Sequence, residues 1–135
     1  MYSTIIEPRV SETDALGHIN NTSLPVWFEA ARNPIFKLFT PDMSFTKWTL
    51  ILVNININYK DQIYFGDNVQ IYTWVNRIGT SSLELYQEAY QNDRLCVTGN
   101  TVYVNYNLNA HKSTPIPNYI RTELENHMHK KENVK

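Results

Sequence analysis

Between Leu24 and Phe39 the apolar residues recur with the spacing of one helical face: Leu24, Trp27, Phe28, Ala31, Ile35, Leu38 and Phe39. A stripe sustained over about four turns, with two large rings in its first half, must be buried against something. After Thr49 the period falls to two. Val53, Ile55, Ile57 and Tyr59 alternate with Asn54, Asn56 and Asn58, as in a strand with one apolar and one polar face. Three more strand-like stretches follow before any helical spacing returns. A chain with one strongly amphipathic helix and several long strands has few ways to bury that helix. The sheet itself must provide the surface.

The remaining elements follow from local signals. Tyr2 to Val10 alternates loosely and predicts a first strand, with Pro8 favouring an edge. Ser11 to Asn21 is a polar loop. Thr22 or Ser23 can cap the helix, and Pro25 is tolerated in its first turn. Pro34 removes the bond to the Ala30 carbonyl and should kink or split the helix, and Pro41 and Asp42 end it. Strands are predicted over Trp48–Tyr59, Val69–Asn76, Leu83–Gln91 and Leu95–Asn107. The hairpin-length links Ile78–Ser81 and Asn92–Arg94 make the last three antiparallel neighbours. Ala110 to Pro117 reads as a linker. A C-terminal helix over residues 118–131 has a thin stripe of Ile120, Leu124 and Met128 and should dock lightly. The expected fold class is α+β: an antiparallel five-stranded sheet around one long helix, in a single domain spanning residues 1–135.

Composition narrows the function classes. With 135 residues the chain can bury roughly two-thirds of its unfolded surface, so it needs no disulfide or metal to fold. A net charge of -1 offers no general field for nucleic acid or an anionic membrane. Cys96 is the only cysteine and sits between Leu95 and Val97, which suits an inert, packed thiol in a reducing compartment. No run reaches transmembrane length and no apolar leader opens the chain, so a soluble cytoplasmic protein is expected. The asparagine-lined strand face and the long strand edges favour a homodimer or homotetramer.

The densest chemistry lies in Thr13-Asp14-Ala15-Leu16-Gly17-His18-Ile19-Asn20-Asn21, immediately before the buried helix. Asp14 is a carboxylate in a short loop. The helix start that follows offers unpaired N–H groups and the positive end of a dipole. Together they suit the attack on a carbonyl whose oxygen gains negative charge. Gly17 permits positive φ, and His18 and Asn20 can hydrogen-bond to the loop or to a ligand. Taken alone, an Asp in this position is more often a turn former or cap. His18 lies four residues from Asp14 without an evident third ligand, so no metal is expected. Glu29, Arg32, Asn33 and Lys37 read as the helix's polar faces, and His127 and His129 as solvated.

The order of elements and this motif, followed by Trp27-Phe28-Glu29-Ala30-Ala31-Arg32, resemble the hotdog-fold acyl-CoA thioesterases of the 4-hydroxybenzoyl-CoA thioesterase type. Ile57-Asn58-Tyr59-Lys60 with Gly66-Asp67-Asn68-Val69, and Arg77 to Leu83, match in the same order, so the resemblance covers residues 9 to about 105. Val10, Ser11 and Glu12 depart from it where an arginine or aromatic and a second acid are usual. Asn21 stands where some members have an aromatic. The resemblance implies hydrolysis of an acyl-CoA to free acid and coenzyme A at a dimer interface. Asp14 would be nucleophile or general base, and Gly17, Asn20 and Asn21 would form the loop and oxyanion site. His18, Tyr59, Lys60 and Arg77 are candidates for substrate contact, with Arg94 a further cation for the nucleotide. No cofactor beyond the coenzyme A of the substrate is implied. An acyl carrier protein thioesterase and a non-catalytic acyl-CoA binding module are the alternatives. A hotdog hydratase is disfavoured because Gly66-Asp67-Asn68 is followed by Val69, not proline.

Overall fold

The computed structural model describes residues 1–129. Strand β1 (Tyr2–Ile6) is followed by helices α1 (Ser23–Ala31) and α2 (Asn33–Phe39). Then come β2 (Leu50–Tyr59), β3 (Val69–Ile78), β4 (Ser82–Gln91), β5 (Arg94–Asn107), the two-residue β6 (Lys112–Ser113) and α3 (Asn118–Glu125). The sheet order is β1-β3-β4-β5-β2, with β6 paired to β5, and every pairing is antiparallel. The α+β expectation holds. Bulges interrupt the registers after Leu52, Val75 and Ala89, and such bulges bend and twist the strands that carry them.

Period-two burial runs through β4, where Leu83, Leu85, Gln87, Ala89 and Gln91 are all buried. Two apolar clusters fill the concave side. Leu24, Trp27, Phe28 and Ala31 of α1 meet Ile71, Ala89, Cys96 and Val97, and Ile35 and Phe36 of α2 meet Leu50, Val75, Leu83 and Leu85. Burial of rings such as Trp27 and Phe28 contributes about 2–3 kcal/mol each. Gly99 makes the closest approach possible, since a Cβ there would lie 3.0 Å from the Phe28 ring. The Cys96 thiol is buried, and burial pushes its pKa up, as expected of an inert group.

Several boundaries differ from the sequence reading. The long helix is two helices, separated at Arg32, with Pro34 in the first turn of α2. Strand β1 ends at Ile6, short of Pro8, and Val10–Glu12 form a 3-10 turn. Helix α3 ends at Glu125 instead of continuing to 131. There the chain turns and lays Met128 beside Val75 as a parallel bridge, with Val75 N donating to the His127 carbonyl (2.8 Å) and His129 N to the Val75 carbonyl (2.7 Å). Backbone pairing to a bulged strand outcompetes a further helical turn. His127 is accordingly not solvated but stacked on Tyr2 at 3.8 Å, and His129 packs against Trp74 and Tyr86. Docking of α3 is firmer than its thin stripe suggests, because Ile120 and Leu124 are fully enclosed. The expected fraying of Lys130 to Lys135 lies outside the described residues. No helix among the described residues is long and apolar enough to cross a membrane.

Candidate active site

The loop before α1 is built from its two ends inward. Glu12 is buried and accepts hydrogen bonds from Trp27 Nε1 (2.6 Å), Arg9 N (2.8 Å) and Arg9 Nη2 (3.1 Å). Burial alone would raise its pKa, but these donors and the Arg9 charge outweigh it and hold the carboxyl below its usual range. The departure at Val10–Glu12 therefore leaves the loop anchored, because Glu12 ties it to the central helix and Arg9 supplies the cation. At the other end Ile19 is buried and its N–H donates to the Ile63 carbonyl (2.8 Å), while Asn20 N returns to the Glu12 carbonyl (2.8 Å). Thr13 pairs with Ile19.

Within that frame, Asp14 N donates to the His18 carbonyl (2.8 Å) and Gly17 N to the Asp14 carbonyl (3.2 Å). Gly17 has φ +82, the conformation for which glycine was expected here. Asp14 Oδ1 accepts from Leu16 N (2.8 Å) and His18 N (3.0 Å). Asp14 is thus a turn former, as the plainer reading of the sequence had it. The turn employs one oxygen only. Among the described residues Oδ2 has no hydrogen-bond partner, and the side chain is exposed. The result is a carboxylate fixed in orientation with one oxygen unengaged. His18 is half-buried, and its ring meets the Tyr64 ring edge-on at 5.0 Å.

The chain then enters α1 without a side-chain cap, contrary to the expectation for Thr22 or Ser23. Ser23 N donates to the Asn20 carbonyl (3.0 Å) and Leu24 N to the Asn21 carbonyl (3.4 Å). Among the described residues no acceptor is paired with the backbone N–H of Asn21 or Thr22. Tyr59 Oη donates to the Asn21 carbonyl (2.6 Å), which fastens the end of β2 to the helix start. A groove of about 310 Å³ opens there, lined by Asn21, Leu24, Tyr59, Lys60 and Gln62 among others. Asn20 lies exposed between the loop and the helix.

Two expected cations are elsewhere or engaged. Arg77 sits near the end of β3 opposite Glu84, with most of the strand between it and Val69, and is not brought to this groove within one chain. Arg94 pairs with Asp61 at 2.7 Å and lies over the Tyr64 ring. Lys60 is in no ion pair among the described residues.

Arg32 overturns the reading that placed it on a polar face. Only 1% of it is exposed. Its Nε donates to Tyr103 Oη (2.8 Å) and Nη1 to Gln87 Oε1 (3.0 Å), and its guanidinium faces the Tyr103 ring at 5.6 Å. At the helix break Arg32 N turns to the Glu29 carbonyl, and Gln87 Nε2 takes up the Phe28 carbonyl (2.9 Å). Arg32 follows Phe28 by four residues, so the helical period itself put it on the apolar stripe. Charge alone argued otherwise. Glu12 was also missed as a site residue, since no local pattern marks a carboxylate whose partner is fifteen residues away.

The family model described as Thioesterase-like superfamily matches residues 8–124. A Bacillus subtilis (strain 168) protein provisionally named as an acyl-CoA thioesterase, YneP, is 32% identical over 73 residues. That match takes in 52% of this chain and 53% of the relative, so the chain spans about half of that relative's length. The solved structure of a predicted thioesterase from Bacillus stearothermophilus is 48% identical, with a TM-score of 0.92, covering 96% of this chain and 98% of the other. A thioesterase from Thermus thermophilus, solved with coenzyme A and Zn, has a TM-score of 0.79 over 90% of this chain and 95% of its own, and at 24% identity shows likeness of fold.

Proposed function

This chain belongs to the thioesterase-like superfamily and has its hotdog fold, and on that premise we propose that it hydrolyses an acyl-coenzyme A thioester to the free acid and coenzyme A. The observation that supports this most is the pairing of Asp14 with the start of α1. A carboxylate with one unengaged oxygen is followed by the N–H groups of Asn21 and Thr22, which are unpaired among the described residues and stand immediately before α1. The free oxygen of Asp14 attacks the thioester carbon, expelling the coenzyme A thiolate and leaving a mixed anhydride that water opens. Alternatively it draws a proton from a water that attacks the same carbon. Either way the carbonyl oxygen becomes an oxyanion, and the N–H groups of Asn21 and Thr22 with the helix dipole stabilise it. Gly17 and His18 hold the turn, and Tyr59 holds Asn21. Lys60, in the polar groove beside them, meets the anionic coenzyme A portion. The proposal includes the 4-hydroxybenzoyl-CoA thioesterase type, which the motif from Thr13 to Asn21 resembles.

Self-association as a homodimer or homotetramer belongs to the same proposal. Strand β2 is an unpaired edge of the sheet and is exposed along most of its length, with Leu52, Val53 and Ile55 open to solvent. Pairing there would bring a second chain, and its Arg77, into play. The site of action would be the cytoplasm, where coenzyme A esters are used.

The decisive variant is Asp14→Asn, which keeps an oxygen for the turn and removes the carboxylate. Thiol release from an acyl-CoA panel should fall at least about 100-fold with an unchanged circular dichroism spectrum. Undiminished turnover in Asp14→Asn and Asp14→Ala would remove Asp14 from the mechanism.

A further inference from the structure

The buried face of β4 carries two glutamines among its apolar residues, Gln87 and Gln91, each 1% exposed. A buried amide costs stability unless its polar atoms find partners. Gln87 finds them at the helix break, in Arg32 and the Phe28 carbonyl. Gln91 is the last residue of the strand and reaches into the loop between β2 and β3. Tyr64 N donates to its Oε1 (2.9 Å), and its Nε2 donates to the carbonyls of Tyr64 (2.8 Å) and Asp67 (3.0 Å). The side-chain amide thus pairs with both backbone groups of Tyr64, as a neighbouring strand would. In extended backbone the groups of the flanking residues point the other way. There they meet the loop that carries Asp14: Ile19 N donates to the Ile63 carbonyl (2.8 Å), Phe65 N donates to the Gly17 carbonyl (2.8 Å), and His18 and Tyr64 form an antiparallel bridge. Residues 63–65 therefore have two edges, one against the Asp14 loop and one against a single side chain.

We propose that Gln91 is a positioning residue for Asp14, acting through the backbone of Tyr64 to set where Gly17, His18 and Ile19 lie. The inference rests on the thioesterase reading above. His18 is the link: its N–H donates to Asp14 Oδ1 (3.0 Å) and its carbonyl accepts from Asp14 N (2.8 Å). A shift of His18 therefore tilts the carboxylate. The groove at Lys60 is held by other means. Lys60 N (2.8 Å) and Asp61 N (3.0 Å) both donate to the Cys96 carbonyl, and Arg94 Nη1 donates to the Gln62 carbonyl (3.2 Å). The β2–β3 loop is thus anchored in two halves. Residues 60–62, beside the groove, hang on β5, whereas Tyr64 and Asp67 hang on Gln91. Loss of Gln91 frees the second half and spares the first, so it lowers kcat and leaves substrate binding close to its original strength. The amide itself is required, because one N–H and two carbonyls must be met at once. Leucine meets none of them. An ionised carboxylate meets the N–H and repels both carbonyls, and a protonated carboxyl meets the N–H and one carbonyl.

Two measurements on the full chain test this, with Gln91→Leu and Gln91→Glu each held at a temperature where circular dichroism shows the variant fully folded. The first uses the acyl-CoA ester that the parent protein hydrolyses fastest. In Gln91→Leu, kcat should fall about 30- to 100-fold, the scale of a small misplacement of a reacting group, while KM stays within about threefold. Gln91→Glu should be as slow near about pH 8, and its rate as a fraction of the parent's at the same pH should recover at least about tenfold by about pH 6, as the buried carboxyl takes up a proton. A residue that served stability alone would lower Tm and leave kcat of the folded protein and this ratio unchanged, which would overturn the assignment. The second measurement needs no turnover. Amide hydrogen exchange at His18, Ile19 and Phe65 should quicken at least about tenfold in Gln91→Leu, with Lys60 and Asp61 as in the parent; unchanged exchange at all three would also overturn it. Faster exchange together with a parent that releases no thiol would end the thioesterase reading and keep the role of Gln91. Parental turnover in both variants would do the reverse. If Gln91→Leu does not fold, Gln91→Glu at the higher pH carries both measurements.

Discussion

Asp14 and Arg32 flank the same helix and are held in opposite ways. The exposed carboxylate is fixed by backbone amides two and four residues away. The buried guanidinium is fixed by side chains from β4 and β5, 55 and 71 residues distant. One is a local device that a short peptide motif specifies nearly by itself. The other exists only when the sheet has closed over the helix, and it carries no acidic partner among the described residues. The contrast separates two tasks around α1: the loop at its start orients an exposed carboxylate, while the network at its end fixes where the helix breaks.

The largest effect should come from the non-local side. Arg32→Ala leaves Gln87 Oε1 and Tyr103 Oη without their donor and opens a void, and should cost about 3 kcal/mol, seen as a fall in Tm of roughly 10 °C. Arg32→Met, which fills the space without a buried charge, should cost clearly less. Equal losses for the two would make the charge itself the stabilising element and break the contrast as drawn.

Glu12 joins the two regions, since it opens the loop yet binds Trp27 of α1. Glu12→Gln should cost about 1–2 kcal/mol at neutral pH. Folding lowers the Glu12 pKa, so its contribution is complete above the ordinary glutamate range and disappears as pH falls through the lowered value. Denaturant titrations of both proteins at falling pH should therefore converge in acid. A gap that stays constant would assign the effect to packing.

The smallest effect on stability belongs to the local side. Nothing lies within 4 Å of a Cβ added at Gly17, so Gly17→Ala meets only the penalty of its positive φ, about 1 kcal/mol. Turnover should suffer more than Tm does, because the strained turn tilts Asp14. Turnover falling no further than the folded fraction would show that the turn need not be exact for chemistry.

The same division explains what was legible in the sequence. Period-two and helical spacings mark α1 and β3 to β5 because burial on one face leaves a repeating trace, whereas β2 alternates although its face with Val53, Ile55 and Tyr59 is open to solvent. Pro34 announced the break in the helix, and the turn at Asn92-Asp93 shows the positive φ angles such a tight link needs. The loop from Asp14 to His18 was legible because its bonds are local. Arg32 and the His127–His129 segment were not, because each is positioned by partners far along the chain, and of the bonds to Glu12 only the one from Trp27 is distant. Residue type misled for Arg32, His127 and His129: charged and imidazole side chains read as surface unless their distant partners are known.

The strand order has a kinetic meaning. Strands β3, β4 and β5 are joined by short links and can zip together in sequence, whereas β2 pairs with β5 only after both intervening strands exist. Closing that longer loop comes at greater entropic cost, so β2 is favoured to join after these three, and β1, paired to β3 across a still longer stretch of chain, later again. Strand β2 ends at Tyr59, whose hydroxyl donates to the carbonyl of Asn21. Breathing of this edge strand thus releases the Asn21 carbonyl and loosens the start of α1, which ties the order of the helix start to an early step of unfolding.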